Sequence, residues 1–417
     1  MGGVSVRTLD YRLLAGFGLA ILGLIFLLRG LHGEPTHSDF RGIWIAGHIW
    51  AQGQDAYGPL FVQRGVALFG QSHNPVMWPY PPHAWLLALG SQRFDLSAGL
   101  FWWNLMGAAL AAIGAWLLGQ AFAADQRARL VLAIAVFSFV AFSTASGGAM
   151  RMGQTGFIAF FGLGLLAWAM VRRKIAVAAV AISILMLKPQ IGLVACGALL
   201  VVPDGLAIVA GGAAIALGAS LPVLFLTGPA TVAAGYLHNL ALYRTIPYDL
   251  PRSMTGIGNL VAQIAGVDLP AIGMTFVGAA VAALLVRLHR WRNADDPSPV
   301  ALTASLMMAI VGATVGFAFL HIYDLMIVAP AVALVPMLRG GARWSAIVGL
   351  AMLVRPENIA HILLLHGQHG EATVASIGCL TLFTGAVANA LMANKPQQSD
   401  DAEHVPLLGV QAGFAAG

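Results

Sequence analysis

The feature that most constrains this chain is a run of near-continuous apolar sequence, about twenty residues long, that recurs along almost its whole length. A helix needs ~20 such residues to cross roughly 30 Å of hydrocarbon. Backbone polar groups cannot stay unpaired in lipid, so spans of this kind must be helical. A β-barrel would show shorter, alternating segments instead. Composition agrees: 59% of the 417 residues are hydrophobic and 9% are charged, against roughly 25% charged in an ordinary soluble domain. The expectation is an all-α polytopic membrane protein.

Spans are expected at about 11–31, 97–120, 128–147, 155–171, 175–187, 190–203, 205–226, 270–288, 298–319, 322–338, 343–356 and 371–392, roughly twelve in all. The fifth and sixth are short and meet at Lys188-Pro189-Gln190, so they read as kinked or broken helices. The first run follows Arg7 and Arg12 as a signal peptide would, but it ends in Arg29-Gly30-Leu31-His32 with no Ala-x-Ala site. It reads as an uncleaved anchor.

Short basic loops set the orientation. Arg127/Arg129, Arg172-Arg173-Lys174, Arg287/Arg290/Arg292 and Arg339/Arg343 fall on one side with both termini, and that side is expected to be cytoplasmic. The chain then reads as one membrane-embedded domain over 1–396, followed by a disordered cytoplasmic tail at 397–417. The opposite face carries two long loops, about 32–96 and 227–270. In the first, Phe40, Ile43, Trp44, Gly47, Trp50 and Ala51 recur at helical spacing, which predicts an interfacial helix lying on the membrane. A second surface helix is expected from Pro81, too short to span.

Several chemistries lack their signatures. Cys196 and Cys379 sit inside apolar runs, so neither a disulfide framework nor a thiol metal cluster is implied. A net charge of +5 scattered among loops does not suit nucleic acid. No phosphate-cradling Gly-x-x-x-x-Gly-Lys-Ser/Thr and no His-Glu-x-x-His pair is present. No metal and no cofactor is expected.

Candidate chemistry gathers on the face opposite the basic loops. Asp39 follows the first span beside Phe40, where a partly desolvated carboxylate can act as a base toward a lipid-borne hydroxyl. Ser38-Asp39 ahead of an amphipathic helix equally reads as an N-cap, and one side chain can do both. Arg151, Lys188, Arg244, Arg252 and Arg355 sit where the charge rule disfavours them. Holding a charge near the bilayer costs roughly 2.5–3.5 kcal/mol on insertion scales, and an anionic phosphate is one partner that would offset it. Snorkelling, or pairing with Asp249, Glu357 or Glu371, is the other explanation. His321-Ile322-Tyr323-Asp324 reads either as a tight turn or as the lining of a cavity, and Met152-Gly153-Gln154-Thr155-Gly156 alone is a weak turn signal.

In order, the chain shows Asp39-Phe40, Trp44, Ala46-Gly47, Gly53-x-x-x-Tyr57, Tyr80-Pro81-Pro82, Gly153-Gln154, Leu187-Lys188-Pro189-Gln190 and Tyr323-Asp324. This series resembles glycosyltransferase family 87, the polyprenyl-phosphate-dependent, mannosyltransferase-like members of the membrane-embedded C superfamily. The resemblance runs from the first span to about Pro330. It implies a hexose donor, mannose on a polyprenyl monophosphate, presented at the periplasmic or exterior face of the cell (inner) membrane. It also implies an inverting single displacement onto a lipid or glycan acceptor, with Asp39 as general base. Lys188 maps to the lysine that binds the leaving phosphate, with His321 beside the mapped Tyr323-Asp324 pair, while Arg151 and Arg252 are expected there on the charge argument alone. Gln154, Tyr323 and Asp324, with Trp44, Tyr80 and His83, are expected to contact substrate. The chain departs from the pattern at Arg41-Gly42, just after Asp39-Phe40, where such families commonly carry bulkier or aromatic residues.

The competing class is a transporter or flippase for a lipid-linked or anionic substrate. It predicts inverted repeats and acids buried in mid-span. The sequence has no evident repeat, and its acids cluster at membrane ends. A lipid-carrier ligase would use arginines more heavily in one large outer loop.

Overall fold

The computed structural model describes residues 34–70, 77–243, 250–293, 298–365 and 367–392, with residues 18, 21–23, 25, 28, 29 and 246 besides. The tail at 397–417, Arg244, Asp249 and most of the first expected span lie outside the described residues. Within them the regular structure is helical, apart from one isolated bridge between Thr255 and Leu320.

The first long loop folds into α1 (Phe40–Ala51), α2 (Pro59–Phe69) and α3 (Trp85–Ser91). The bundle continues with α4 (Leu96–Phe122), α5 (Gln126–Phe142), α6 (Thr144–Met152), α7 (Gly156–Val171), α8 (Ile175–Leu185), α9 (Pro189–Leu199) and α10 (Gly205–Thr227). The second long loop supplies α11 (Pro229–Tyr243) and α12 (Ile257–Ala265). Then come α13 (Ala271–Arg292), α14 (Pro299–Phe317), a 3-10 turn at Ile322–Val328 leading into α15 (Ala329–Leu334), α16 (Gly340–Val354), α17 (Pro356–Ile362) and α18 (Gly367–Leu391).

Five of these helices, α4, α10, α13, α14 and α18, are long and apolar enough to cross a membrane. The pair α5 and α6 makes a sixth if its 62° bend is taken as one span. Full-length helices among the described residues therefore do not reach the expected twelve. The missing ones are apolar but short: α8 and α9 have 11 residues each and α7 has 16. An apolar window does not register a helix break, and the breaks here fall at single polar positions such as Ser143 and Lys188.

At the centre stands α14, buried on nearly every side and packed on α7, α9, α13 and α18. Lipid tails are as apolar as leucine, so helices in a bilayer associate largely through close fit. Small residues supply it: a Cβ on Gly164 of α7 would lie 2.6 Å from the Gly114 carbonyl of α4. At one end of the bundle arginines cap neighbouring carbonyls. Arg129 donates to Ala123 O and Ala124 O, Arg290 to Val201 O, and Arg292 to Leu391 O. These are the loops expected to share one side. At the other end Thr144 donates to Glu357 at 2.6 Å and Arg355 donates to Phe142 O at 3.0 Å.

The first loop departs from its expected form. Its α1 helix exists, but Phe40, Arg41, Ile43, Ile45, Ala46, Ile49 and Trp50 are all buried, so it does not lie on a surface. Ile45, Ala46 and Ile49 make the supposed polar face apolar too, and α3 closes over it. The approach is so tight that a Cβ on Gly47 would collide with Ala88 O. The short second helix does form, and Trp85 pins it to α10 by donating to Ala219 O at 2.6 Å.

Candidate active site

Asp39 stands at the start of α1 in a right-handed helical conformation, and its side chain makes no capping hydrogen bond. Its carboxylate instead accepts from Gln154 Nε2, far away in sequence. Gln154 is placed there by the turn between α6 and α7. Gly153 adopts φ 64°, a left-handed conformation that L side chains rarely take. A Cβ on Gly153 would lie 2.5 Å from Phe40 Cβ, the residue next to Asp39. The Gly-Gln pair thus works as a unit, glycine for the close approach and glutamine for the carboxylate. Arg41 folds back under Asp39, donating to Ser38 O at 2.7 Å and to Thr36 O. Burial lowers its pKa, and Asp39 works in the opposite direction.

Lys188 occupies the break between α8 and α9, with Pro189 at the first helical position. It is 7% exposed and pairs with Asp324, which is 2% exposed. Asp324 lies in the 3-10 turn and also accepts from the His321 backbone N–H at 3.4 Å. The His321 side chain in return accepts from the Asp324 backbone, and its Nε2 lies 3.4 Å from the Tyr243 hydroxyl. One ring nitrogen of a neutral imidazole accepts and the other donates. The His321 ring can thus accept at one nitrogen while donating from the other. Its ring stacks on Tyr323 at 4.7 Å, and Lys188 Nζ sits 5.9 Å from the same Tyr323 ring.

Tyr80 joins the two clusters. Burial pushes its phenol pKa up, the adjacent Thr155 hydroxyl opposes, and Asp39 and Asp324 both raise it further. One phenol therefore lies within electrostatic reach of both carboxylates. The Tyr80 backbone is fixed by Tyr57, whose hydroxyl donates to Tyr80 O at 2.7 Å, and Trp78 packs on the Tyr80 ring at 4.9 Å. Tyr80 and Thr155 line one small cavity, and a Cβ on Gly156 would lie 3.4 Å from Tyr323 O, so Asp39, Gln154, Tyr80, Asp324, Lys188, Tyr323 and His321 form one connected neighbourhood. It is built from the first loop, the α6–α7 turn, the α8–α9 break and the 3-10 turn.

The other expected residues are placed differently. Trp44 donates to Phe94 O at 2.9 Å and packs against His48, anchoring the first loop. His83 lies 3.2 Å from Ser183 O, tying that loop to α8, and burial lowers its pKa. Arg151 lines a separate cavity of about 480 Å³ with Arg29 and Arg355, instead of joining Lys188. The Arg252 side chain is outside the described residues. Sequence reasoning missed Tyr243 and Arg29. Tyr243 lies in a loop region without a motif, and Arg29 read only as the flank of an anchor. Among the described residues no group of three or more His, Cys, Asp or Glu side chains could hold a metal ion.

The arrangement offers a base, a buried cation, an imidazole N–H and ring faces that can stack on a sugar. Neither a curated protein nor a solved structure matches the chain. A family profile, Glycosyltransferase family 87, matches residues 78–320. That is more than half of the sequence, and it takes in Tyr80, His83, Gln154 and Lys188, while the 321–324 turn lies just past its end and Asp39 well before its start. With the helical bundle and its candidate spans, this match identifies the chain as a member of glycosyltransferase family 87, a family of membrane glycosyltransferases.

Proposed function

We propose that the protein transfers a hexose, mannose, from a polyprenyl-phosphate donor to a hydroxyl of a lipid or glycan acceptor, with inversion at the anomeric carbon. Residues 1–396 act as one catalytic unit in the cell (inner) membrane, its site facing the periplasm or exterior. Asp39 takes the acceptor hydroxyl proton as the oxygen attacks the anomeric carbon. The bond from that carbon to the phosphate oxygen breaks, and polyprenyl phosphate leaves with the electron pair. Lys188 and a His321 ring N–H take up the charge that develops on the phosphate. Gln154 orients the base, while Tyr80 and the Tyr323 ring bind the sugar.

One observation carries this reading above all: the Asp39 carboxylate turns away from the helix it was placed to cap and toward Gln154. A cap would have aimed it at backbone N–H groups.

Asp39→Asn separates the roles. Asn ranks with Asp as a cap and keeps the size, but it cannot accept a proton at neutral pH. Transfer from a short-chain polyprenyl-phosphate mannose should fall at least ~10²-fold, with detergent stability unchanged. Turnover like that of wild type would remove Asp39 from the chemistry.

A further inference from the structure

A cavity of about 480 Å³ lies beside the proposed site and is not part of it. Three arginines come to it from three segments: Arg29 from the end of the first apolar run, Arg151 from α6 and Arg355 from the start of α17. Arg29 and Arg355 are oriented by the end of α5, Arg29 through Ala141 O and Arg355 through Phe142 O at 3.0 Å. Carbonyls aim these guanidinium groups without cancelling their charge. Arg151 is exposed and makes no hydrogen bond or ion pair among the described residues. Arg29 feels the charges of both Arg355 and Arg151.

Two carboxylates share the wall. Glu357 is held by Thr144 at 2.6 Å and reaches Arg355 at 3.4 Å, and Glu371 stands beside it. Three cations against two anions leave an excess positive charge around an open space of about 480 Å³. Gly147 keeps that space open, since a Cβ there would lie 2.5 Å from Arg29 Nη2. On the neighbouring face of the same helix Gly148 abuts Tyr323, where a Cβ would lie 3.3 Å from Tyr323 Cβ. The cavity and the His321–Asp324 cluster therefore flank α6 on adjacent faces.

We propose that this arginine cavity is a second anion subsite, taking the phosphate ester of a lipid headgroup other than the sugar donor. Planar guanidinium groups suit phosphate oxygens, and converging cations at a membrane end call for an anion to offset them. The ester belongs either to a phosphate-bearing acceptor or to a bilayer phospholipid. Placing the donor phosphate elsewhere, at Lys188 and His321, rests on the proposed function.

The test compares the full chain with Arg151→Gln, chosen because Arg151 holds no structural contact, and with Arg355→Lys, which keeps the charge. First, retention of phosphatidylglycerol is measured by native mass spectrometry after exchange into nanodiscs otherwise made of phosphatidylcholine. Preferential retention that falls roughly tenfold in Arg151→Gln, about the size of one charge-assisted hydrogen bond, supports the subsite. Second, KM is compared for the donor, a phosphate-bearing acceptor and a phosphate-free alkyl glycoside acceptor. A KM increase confined to the phosphate-bearing acceptor names the acceptor as source. Lost retention without that increase names a bilayer phospholipid. A KM increase for the donor exceeding that for either acceptor would make the cavity the donor's own site and overturn the proposal. Unchanged retention and unchanged KM values in Arg151→Gln would overturn it as well. The retention measurement needs no turnover, so it judges the cavity even if Asp39→Asn remains active and the proposed function falls.

Discussion

At the scale of single residues, two long-range pairs decide what the side chains do. Asp39 meets Gln154 from 115 residues away, and Lys188 meets Asp324 from 136. The sequence left Asp39 between cap and base because both roles call for the same local pattern. Only its distant partner separates them. Lys188 was legible as an unusual cation, but its neutralisation by Asp324 was not, since no spacing rule links a helix break to a remote 3-10 turn. The pair makes a testable prediction. Removing one member of a buried ion pair leaves the other uncompensated, at a cost of about 3–5 kcal/mol. Lys188→Met should therefore lower the unfolding temperature sharply, and Lys188→Met/Asp324→Leu should recover most of it without restoring transfer. A double variant as unstable as the single one would show that something other than this pair holds the α8–α9 break in place.

At the scale of elements, periodicity and apolar length predicted where helices lie, and side-chain breaks decided where they stop. The α1 helix was found from its spacing, yet its burial was missed because amphipathicity measured on one face says nothing of what covers the other. The α6–α7 turn shows how far a weak motif can reach. Gly153→Ala forces a left-handed residue to carry a Cβ into Phe40, a strain of order 1–3 kcal/mol. Relief requires Gln154 and Phe40 to move apart, so kcat should fall more than donor KM rises, together with a lower unfolding temperature. A variant with wild-type kcat would mean that the Gln154–Asp39 contact tolerates the shift. The His83 tether adds a pH dependence. Burial holds its folded pKa below the ordinary value of 6.5, so the folded state favours neutral imidazole. That contribution is complete above pH 6.5 and is lost as pH falls through the folded value. Thermal unfolding followed between pH 7 and pH 5 should show a smaller acid loss in His83→Gln than in the wild type.

At the scale of the whole molecule, family membership favours transfer over transport, and the course of α5–α6 decides how many times the chain crosses the bilayer. Hydropathy counted roughly twelve passes because it reads apolar length and not continuity. The bent α5–α6 pair is the place where the two readings divide. Between the first loop and the Arg172-Arg173-Lys174 loop lie α4, the α5–α6 pair and α7. If α5–α6 crosses despite its 62° bend, three passes separate those loops and put them on opposite faces, as the positive-inside rule requires. If it enters and returns, only two passes intervene and both loops share a face. Gln63 on α2 and Arg172 are both exposed, so cysteines there can report without disturbing the core. In intact cells an impermeant maleimide should label Gln63→Cys and leave Arg172→Cys untouched until the membrane is opened. Labelling of both before opening would make α5–α6 re-entrant. It would also invert the face assigned to every later basic loop and part Gln154 from Asp39, since the α6–α7 turn would then lie on the face opposite the first loop.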